Sequence, residues 1–123
     1  MLASAKVVAF LATSDAARAK AFYGEVLGLR LFSEDGFAMV FDANGTTLRV
    51  AIVRDVVPAP YTVLGWDVRD LTANVRGLAG AGVAFERYAW LQQDEWGIWS
   101  APGGAKVAWF KDLDGNVLSV SQH

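Results

Sequence analysis

No cysteine occurs in the 123 residues. That absence removes disulfides, thiolate nucleophiles and sulfur-ligated metal sites together. Histidine is nearly as scarce. The single one, His123, reads as a frayed terminal side chain, so neither a Ser-His-Asp nor a Cys-His arrangement can be assembled. There is no basic block, and the net charge of −2 makes charge-dominated binding of nucleic acid a poor expectation. No apolar run approaches the roughly 20 residues of a membrane-spanning helix. Met1 to Ala9 lacks the charged start and long apolar stretch of a leader peptide. The expected protein is cytoplasmic, with no nucleic acid and no membrane among its partners.

What is present is the composition of a packed domain. Hydrophobic residues make up 54% and charged residues 20% of the chain, a globular balance and not a disordered one. The length suits one domain and can bury a working core. Five tryptophans are many for this length, and four of them, Trp90, Trp96, Trp99 and Trp109, crowd into one stretch. Such a cluster serves either sheet packing or the wall of an aromatic pocket.

Periodicity divides the chain into two similar halves. In the first, Lys6–Ala12, Phe37–Phe41 and Thr46–Val53 read as strands, the last with Leu48, Val50 and Ile52 on one face. Ala16–Leu27 reads as a helix, capped by Asp15 (or Ser14) and closed by Gly28. In the second half Thr62–Val68 is a strand, and Leu71–Ala81 is a helix between Asp70 and Gly82. Phe85–Tyr88, Gly97–Ser100, Lys106–Phe110 and Val117–Val120 follow as candidate strands. Asp15 and Asp70 stand 55 positions apart, Gly28 and Gly82 stand 54 apart, and a hairpin turn at Asn44-Gly45 finds its counterpart at Asp114-Gly115. From each turn glycine, Leu and Val recur at the third and fifth positions, as Leu48 and Val50 and as Leu118 and Val120. Pro58 and Pro60 interrupt regular structure between the halves.

Ser14-Asp15, Ala19, Phe22-Tyr23 and Leu27-Gly28, taken with Phe110-Lys111-Asp112-Leu113-Asp114-Gly115-Asn116, resemble the opening and closing motifs of the vicinal oxygen chelate superfamily. Leu113 stands where that family usually has proline. The superfamily holds glyoxalase I, extradiol dioxygenases, fosfomycin-inactivating enzymes and bleomycin-resistance proteins. The resemblance spans essentially the whole chain. It implies an α+β fold of two βαβββ half-repeats, over residues 1–57 and 61–123 of one domain, with curled mixed sheets enclosing a cavity and helices outside. It also implies pairing of the halves within the chain or across a homodimer.

Metal-dependent members of that family hold a divalent ion with His and Glu from four inward strand positions. The first-strand ligand sits seven residues before the capping Asp, and the carboxylate sits four residues after the turn glycine. Those positions are Val8, Val63, Arg49 and Ser119 in this chain. Two valines cannot coordinate, a guanidinium repels a cation, and a serine alone is a feeble ligand. No metal or other cofactor is expected, and a metal-dependent glyoxalase or dioxygenase activity is not expected either.

Strand parity turns Val8, Phe10, Thr47, Arg49, Tyr61, Val63, Ser119 and Ser121 toward the cavity. Arg49 offers a planar donor fork for a carboxylate, phosphate or phenolate, or else pairs with a carboxylate such as Glu95 or Asp94. Trp96 and Trp99 can stack a planar ligand or attract a cationic one, or pack as an ordinary hairpin. Glu95 is either a base in a dry pocket or a solvated rim carboxylate. Pro102-Gly103-Gly104 lacks the features of a phosphate loop. The leading expectation is a metal-independent binding protein for a small aromatic or anionic molecule, with Phe10, Arg49, Tyr61, Glu95, Trp96, Trp99 and Ser119 as ligand-binding residues. The alternatives are a metal-free isomerase or lyase with Glu95 or Tyr61 as proton carrier, and an interaction module whose cavity its own tryptophans fill.

Overall fold

The computed structural model describes residues 1–123 as two compact units, Met1–Val57 and Pro58–His123. Both units follow one plan. In the first, strand β1 (Val8–Thr13) leads into helix α1 (Ala16–Lys20), which runs on as a π-helical segment over Ala21–Val26. Strands β2 (Arg30–Glu34), β3 (Ala38–Ala43) and β4 (Thr46–Ile52) follow. In the second, β5 (Thr62–Asp67) leads into α2 (Leu71–Gly80) and then β6 (Trp99–Ser100), β7 (Lys106–Lys111) and β8 (Val117–Gln122). The sheet orders are β1-β4-β3-β2 and β5-β8-β7-β6. In each, the first and last strands pair in parallel and the rest are antiparallel. The internal repeat is therefore a repeat of topology, with two four-stranded mixed sheets that do not close into a barrel.

Local chemistry explains where the elements begin and end. Asp15 and Asp70 sit in extended backbone and accept from the free N–H groups of Arg18 (3.1 Å) and Ala73 (3.0 Å), which caps both helices. The hairpin joining β3 to β4 turns on Asn44 and Gly45, at φ of 51° and 91°. Asp42 accepts the N–H of Gly45 across it at 2.8 Å. At the turn before β8, Asp112 and Asn116 are both buried. Asp112 Oδ1 accepts from the N–H groups of Asp114 and Asn116, while the Asn116 amide donates to Oδ2 at 2.8 Å. The side chains of the first and last residues thus hold this turn, so the missing proline at Leu113, which is exposed, leaves it intact.

One face of each sheet is core. Leu11, Met39, Phe41, Leu48 and Val50 are buried in the first unit with Phe22 and Tyr23 of the π-helical segment. The Phe22 and Tyr23 rings meet edge to face at 5.1 Å, and Tyr23 lies 6.1 Å from Phe41. In the second unit Leu71, Val75, Ala108, Phe110, Leu118 and Val120 play the same part. The alternate residues form the opposite face. In register across the first sheet are Val8 with Thr47, and Phe10 with Arg49, which in turn faces Val40. Phe10 is 63% exposed and Val8 45%, although both belong to a strand whose other face is core.

Three elements depart from the sequence expectation. Strand β2 was not visible as a periodic run, because a bulge between Leu31 and Ser33 breaks its alternation. Phe85–Tyr88 forms no strand: Phe85 makes an isolated bridge to Phe110, and the chain through to Ile98 is a loop. A second bulge, between Thr62 and Leu64, shifts the parity of β5. Thr62, and not Val63, consequently stands opposite Val117, while Gly65 faces Ser119 just as Phe10 faces Arg49 in the first half.

The close approach at Gly65 is tight: a Cβ there would lie 2.5 Å from Ser119 Oγ. Gly65→Ala should destabilise the protein by about 1–3 kcal/mol as an overpacked site. In a Ser119→Ala background the cost should fall, and a denaturant-unfolding double-mutant cycle measures that coupling. Phe41→Ala, which empties a fully buried ring position, should cost about 3–5 kcal/mol in the same assay.

Candidate functional site

The open face of the second sheet carries the aromatic side chains that the sequence crowds together. Trp109 in β7 is in register with Ser119 in β8, and Trp99 in β6 is in register with Val107. All therefore share the face opposite Ala108 and Phe110. The Trp109 indole N–H donates to the Thr62 hydroxyl at 3.1 Å, fixing the ring across the start of β5. Tyr88 meets Trp109 nearly perpendicularly, with centroids 5.6 Å apart and planes at 80°. Trp90 tilts against Tyr88 at 5.0 Å, and Trp99 lies 6.0 Å from Trp109 on another side. Between these rings is a recess of about 250 Å³, lined by Pro60, Tyr61, Thr62, Tyr88, Trp90, Leu91, Trp109 and Val117.

The loop before β6 supplies two of the rings and is built to hold them still. The Gln93 amide donates to the carbonyls of Glu86 (2.9 Å) and Gly97 (2.8 Å), and its oxygen accepts the Tyr88 N–H (2.8 Å). Arg87 donates to the carbonyls of Asp94 and Glu95 at 2.6 and 2.7 Å. Asp94 Oδ1 accepts from the N–H groups of Trp96 and Ile98. Gly97 turns the chain at a φ of 88°, where a side chain would be strained. Side chains here supply the hydrogen bonds that a strand ladder would otherwise give, so Tyr88 and Trp90 are displayed from a fixed frame. Burial holds the Tyr88 phenol above its ordinary pKa, the Glu86 charge adds to this, and Lys111 opposes it. At neutral pH Tyr88 is therefore a neutral hydroxyl beside an aromatic wall.

Of the residues singled out from sequence, Tyr61 lines this recess, while Trp99 and Ser119 flank Trp109. Trp96 is turned to other work: the Arg76 guanidinium stands over its ring at 5.4 Å. Glu95 is exposed. Trp99 also borders a second hollow of about 380 Å³ with Gln92, Gln93, Asp94, Ile98 and Ser100. Phe10 and Arg49 are neighbours on the open face of the first unit. The carboxylate that feels the Arg49 charge in that unit is Asp35. Its pKa is held below the usual range first by the N–H of Phe37, then by that of Ala38, and last by Arg49, against a small opposing effect of burial. Thr62, Tyr88, Trp90 and Trp109 were not singled out as site residues. Trp109 could have been found, since it alternates with the core residues Ala108 and Phe110. Tyr88 could not, since a loop carries no period.

The donor set does not fit a divalent metal. Val8, Val63 and Arg49 offer no lone pair suited to a cation, and Ser119 faces Gly65, which adds no donor. Within either unit no three His, Asp or Glu side chains gather closely enough to hold an ion. The His123 imidazole shares a hydrogen bond with Ser121 Oγ at 3.2 Å, exposed to water. The recess therefore provides π faces, one aliphatic side and neutral hydroxyls, which suit binding more than bond cleavage.

Residues 5–120 match the family model described as the Glyoxalase/Bleomycin resistance protein/Dioxygenase superfamily. No curated relative matches the sequence. Among solved structures, a glyoxalase family protein from Enterococcus faecalis superposes with a TM-score of 0.76 at 19% identity, over 98% of this chain and 99% of that one. A lactoylglutathione lyase from Agrobacterium tumefaciens gives 0.74 at 18% identity, covering 97% and 93%. A fosfomycin resistance protein from Listeria monocytogenes gives 0.76 at 11% identity, covering 98% and 93%. At these identities the likeness is one of fold. No helix is long and apolar enough to cross a membrane. With its duplicated βαβββ topology and a family match over nearly all its length, the chain belongs to the glyoxalase/bleomycin resistance protein/dioxygenase superfamily.

Proposed function

We propose that this chain is a metal-independent small-molecule-binding protein of the glyoxalase/bleomycin-resistance type, a single cytoplasmic domain of two half-repeats that works as a homodimer. The observation that carries the reading is the aromatic recess of the second unit, standing in a fold whose usual ligand positions, placed by spacing, here are Val8, Arg49, Val63 and Ser119. Four rings and a short aliphatic edge offer apolar area at low conformational cost, and the hydroxyls orient what enters. Tyr61, Trp99 and Ser119 belong to this reading in the second unit. Phe10 and Arg49, side by side in the first unit, are proposed as a contact of their own, an apolar side chain beside a donor fork, and Glu95 and Trp96 are proposed as further contacts outside the recess. The exposure of Glu95 leaves it without the dry surroundings that a general base needs, so binding is preferred to acid–base turnover.

The first unit supports the homodimer. Val8 and Phe10 lie exposed on a sheet face with Ala12, Val40 and Ala51 beside them, an apolar surface that a second copy would cover.

Three measurements test these points. Protein purified without chelator and offered Mn, Fe, Ni and Zn should retain none stoichiometrically by elemental analysis. One ion per chain or per dimer would overturn metal independence. Tryptophan fluorescence should be quenched saturably by some planar aromatic compounds, with a rise in Tm, and a Trp109→Leu variant should lose that response by tenfold or more. Light scattering should give twice the chain mass, and Val8→Lys should shift it toward the monomer.

A further inference from the structure

The recess has a charge preference that its walls determine. We propose that it binds an organic cation, an alkylated ammonium group, in preference to a neutral or anionic ligand of the same shape. The proposal rests on the reading of the recess as a ligand site and names what that site selects.

Three observations support it. First, the walls present π faces. The one N–H of Trp109 is already given to Thr62 at 3.1 Å, so its indole offers its quadrupole and not a donor. Tyr88 stands at 80° to it, and two ring planes at a right angle can both bear on one compact cation. Tyr61 and Trp90 extend the wall. At about 250 Å³ the recess lies below the roughly 300–1,000 Å³ of sites for drug-sized molecules, which suits a headgroup.

Second, the second unit itself offers an anion no unengaged cationic side chain at the recess. Of the five Lys and Arg in the second unit, Lys111 stands at the recess end of β7 and is paired with Glu86 at 3.3 Å. Arg87 is spent on two backbone carbonyls, and Arg76 lies over Trp96. Arg69 follows the far end of β5, and Lys106 begins β7 at the far end from Lys111. An anion entering the recess would lose its hydration and gain no charged partner.

Third, the background charge favours a cation. The second unit holds seven Asp and Glu against five Lys and Arg, while the first is balanced at six and six. The whole net charge of −2 therefore belongs to the unit that carries the recess. The Arg76–Trp96 stack shows the same unit already satisfying a cation with an indole face.

The test compares choline with its neutral isostere 3,3-dimethylbutan-1-ol and the matching anion 3,3-dimethylbutanoate. Each is titrated into the intact protein and followed by the indole ¹H–¹⁵N signals of Trp90 and Trp109. Choline should saturate at a concentration at least tenfold below the neutral isostere, with the anion weakest. In Trp90→Ala, a substitution at a residue 77% exposed and thus safe for folding, choline affinity should fall at least fivefold with Tm unchanged. Equal affinity of choline and the isostere, or tighter binding of the anion, would overturn the cation preference while leaving the recess a ligand site. No movement of either indole with any of the three would overturn it too, and the recess itself would then stand or fall on the fluorescence titration with Trp109→Leu.

Discussion

The parallel pairing of the first and last strand in each half is the constraint on which the molecule depends. It makes β4 and β8 interior strands, each bonded on both sides, and their inward residues Leu48, Val50, Leu118 and Val120 are among the most deeply buried of the chain. A single helical layer covers one side of each sheet. With only one helix per four strands, the other side has no cover of its own. Everything of functional interest lies on that uncovered side: Phe10 and Arg49 in one half, and the rings around Trp109 in the other.

Much of this was legible in the residues. The Asp caps, the closing glycines and the two glycine turns mark out the repeat because each meets a local demand that few other residues satisfy, and Leu48 and Val50 recur as Leu118 and Val120 because the fold does. Two things were hidden. A bulge adds one residue to β5 and so sets Thr62, and not Val63, opposite Val117, with its hydroxyl at the Trp109 indole, which no count of alternating positions foresees. The loop from Glu86 to Ile98 replaces strand order by side-chain hydrogen bonds from Arg87, Gln93 and Asp94. Its residues have no period, so Tyr88 and Trp90 could be suspected only from the density of aromatics around them.

The two open faces have diverged in chemistry. The first carries aliphatic side chains with Phe10, Thr47 and one guanidinium, while the second is aromatic with small hydroxyls and a glycine. The four positions that the family pattern gives to metal ligands hold Val8, Arg49, Val63 and Ser119, beside capping and turn residues that match the pattern of the fold. Folding and site chemistry thus rest on different residues of the same strands, on alternate parities, and can change independently.

The strand order also has a temporal side. Because the strand made last in each half is an interior one, joining the first strand to the rest, neither sheet can be completed on the ribosome until its final strand has emerged. The first unit, ending at Val57, can close while the second is still being synthesised. The second must wait for Val117–Gln122, and even the N-terminus of its helix waits, since the Leu71 N–H is bonded to the Gln122 side chain at 2.9 Å. Until then β5 has no partner and β7 is bonded on one side only, by β6, so the interval between the two halves is when the nascent chain is most exposed to aggregation or to a chaperone.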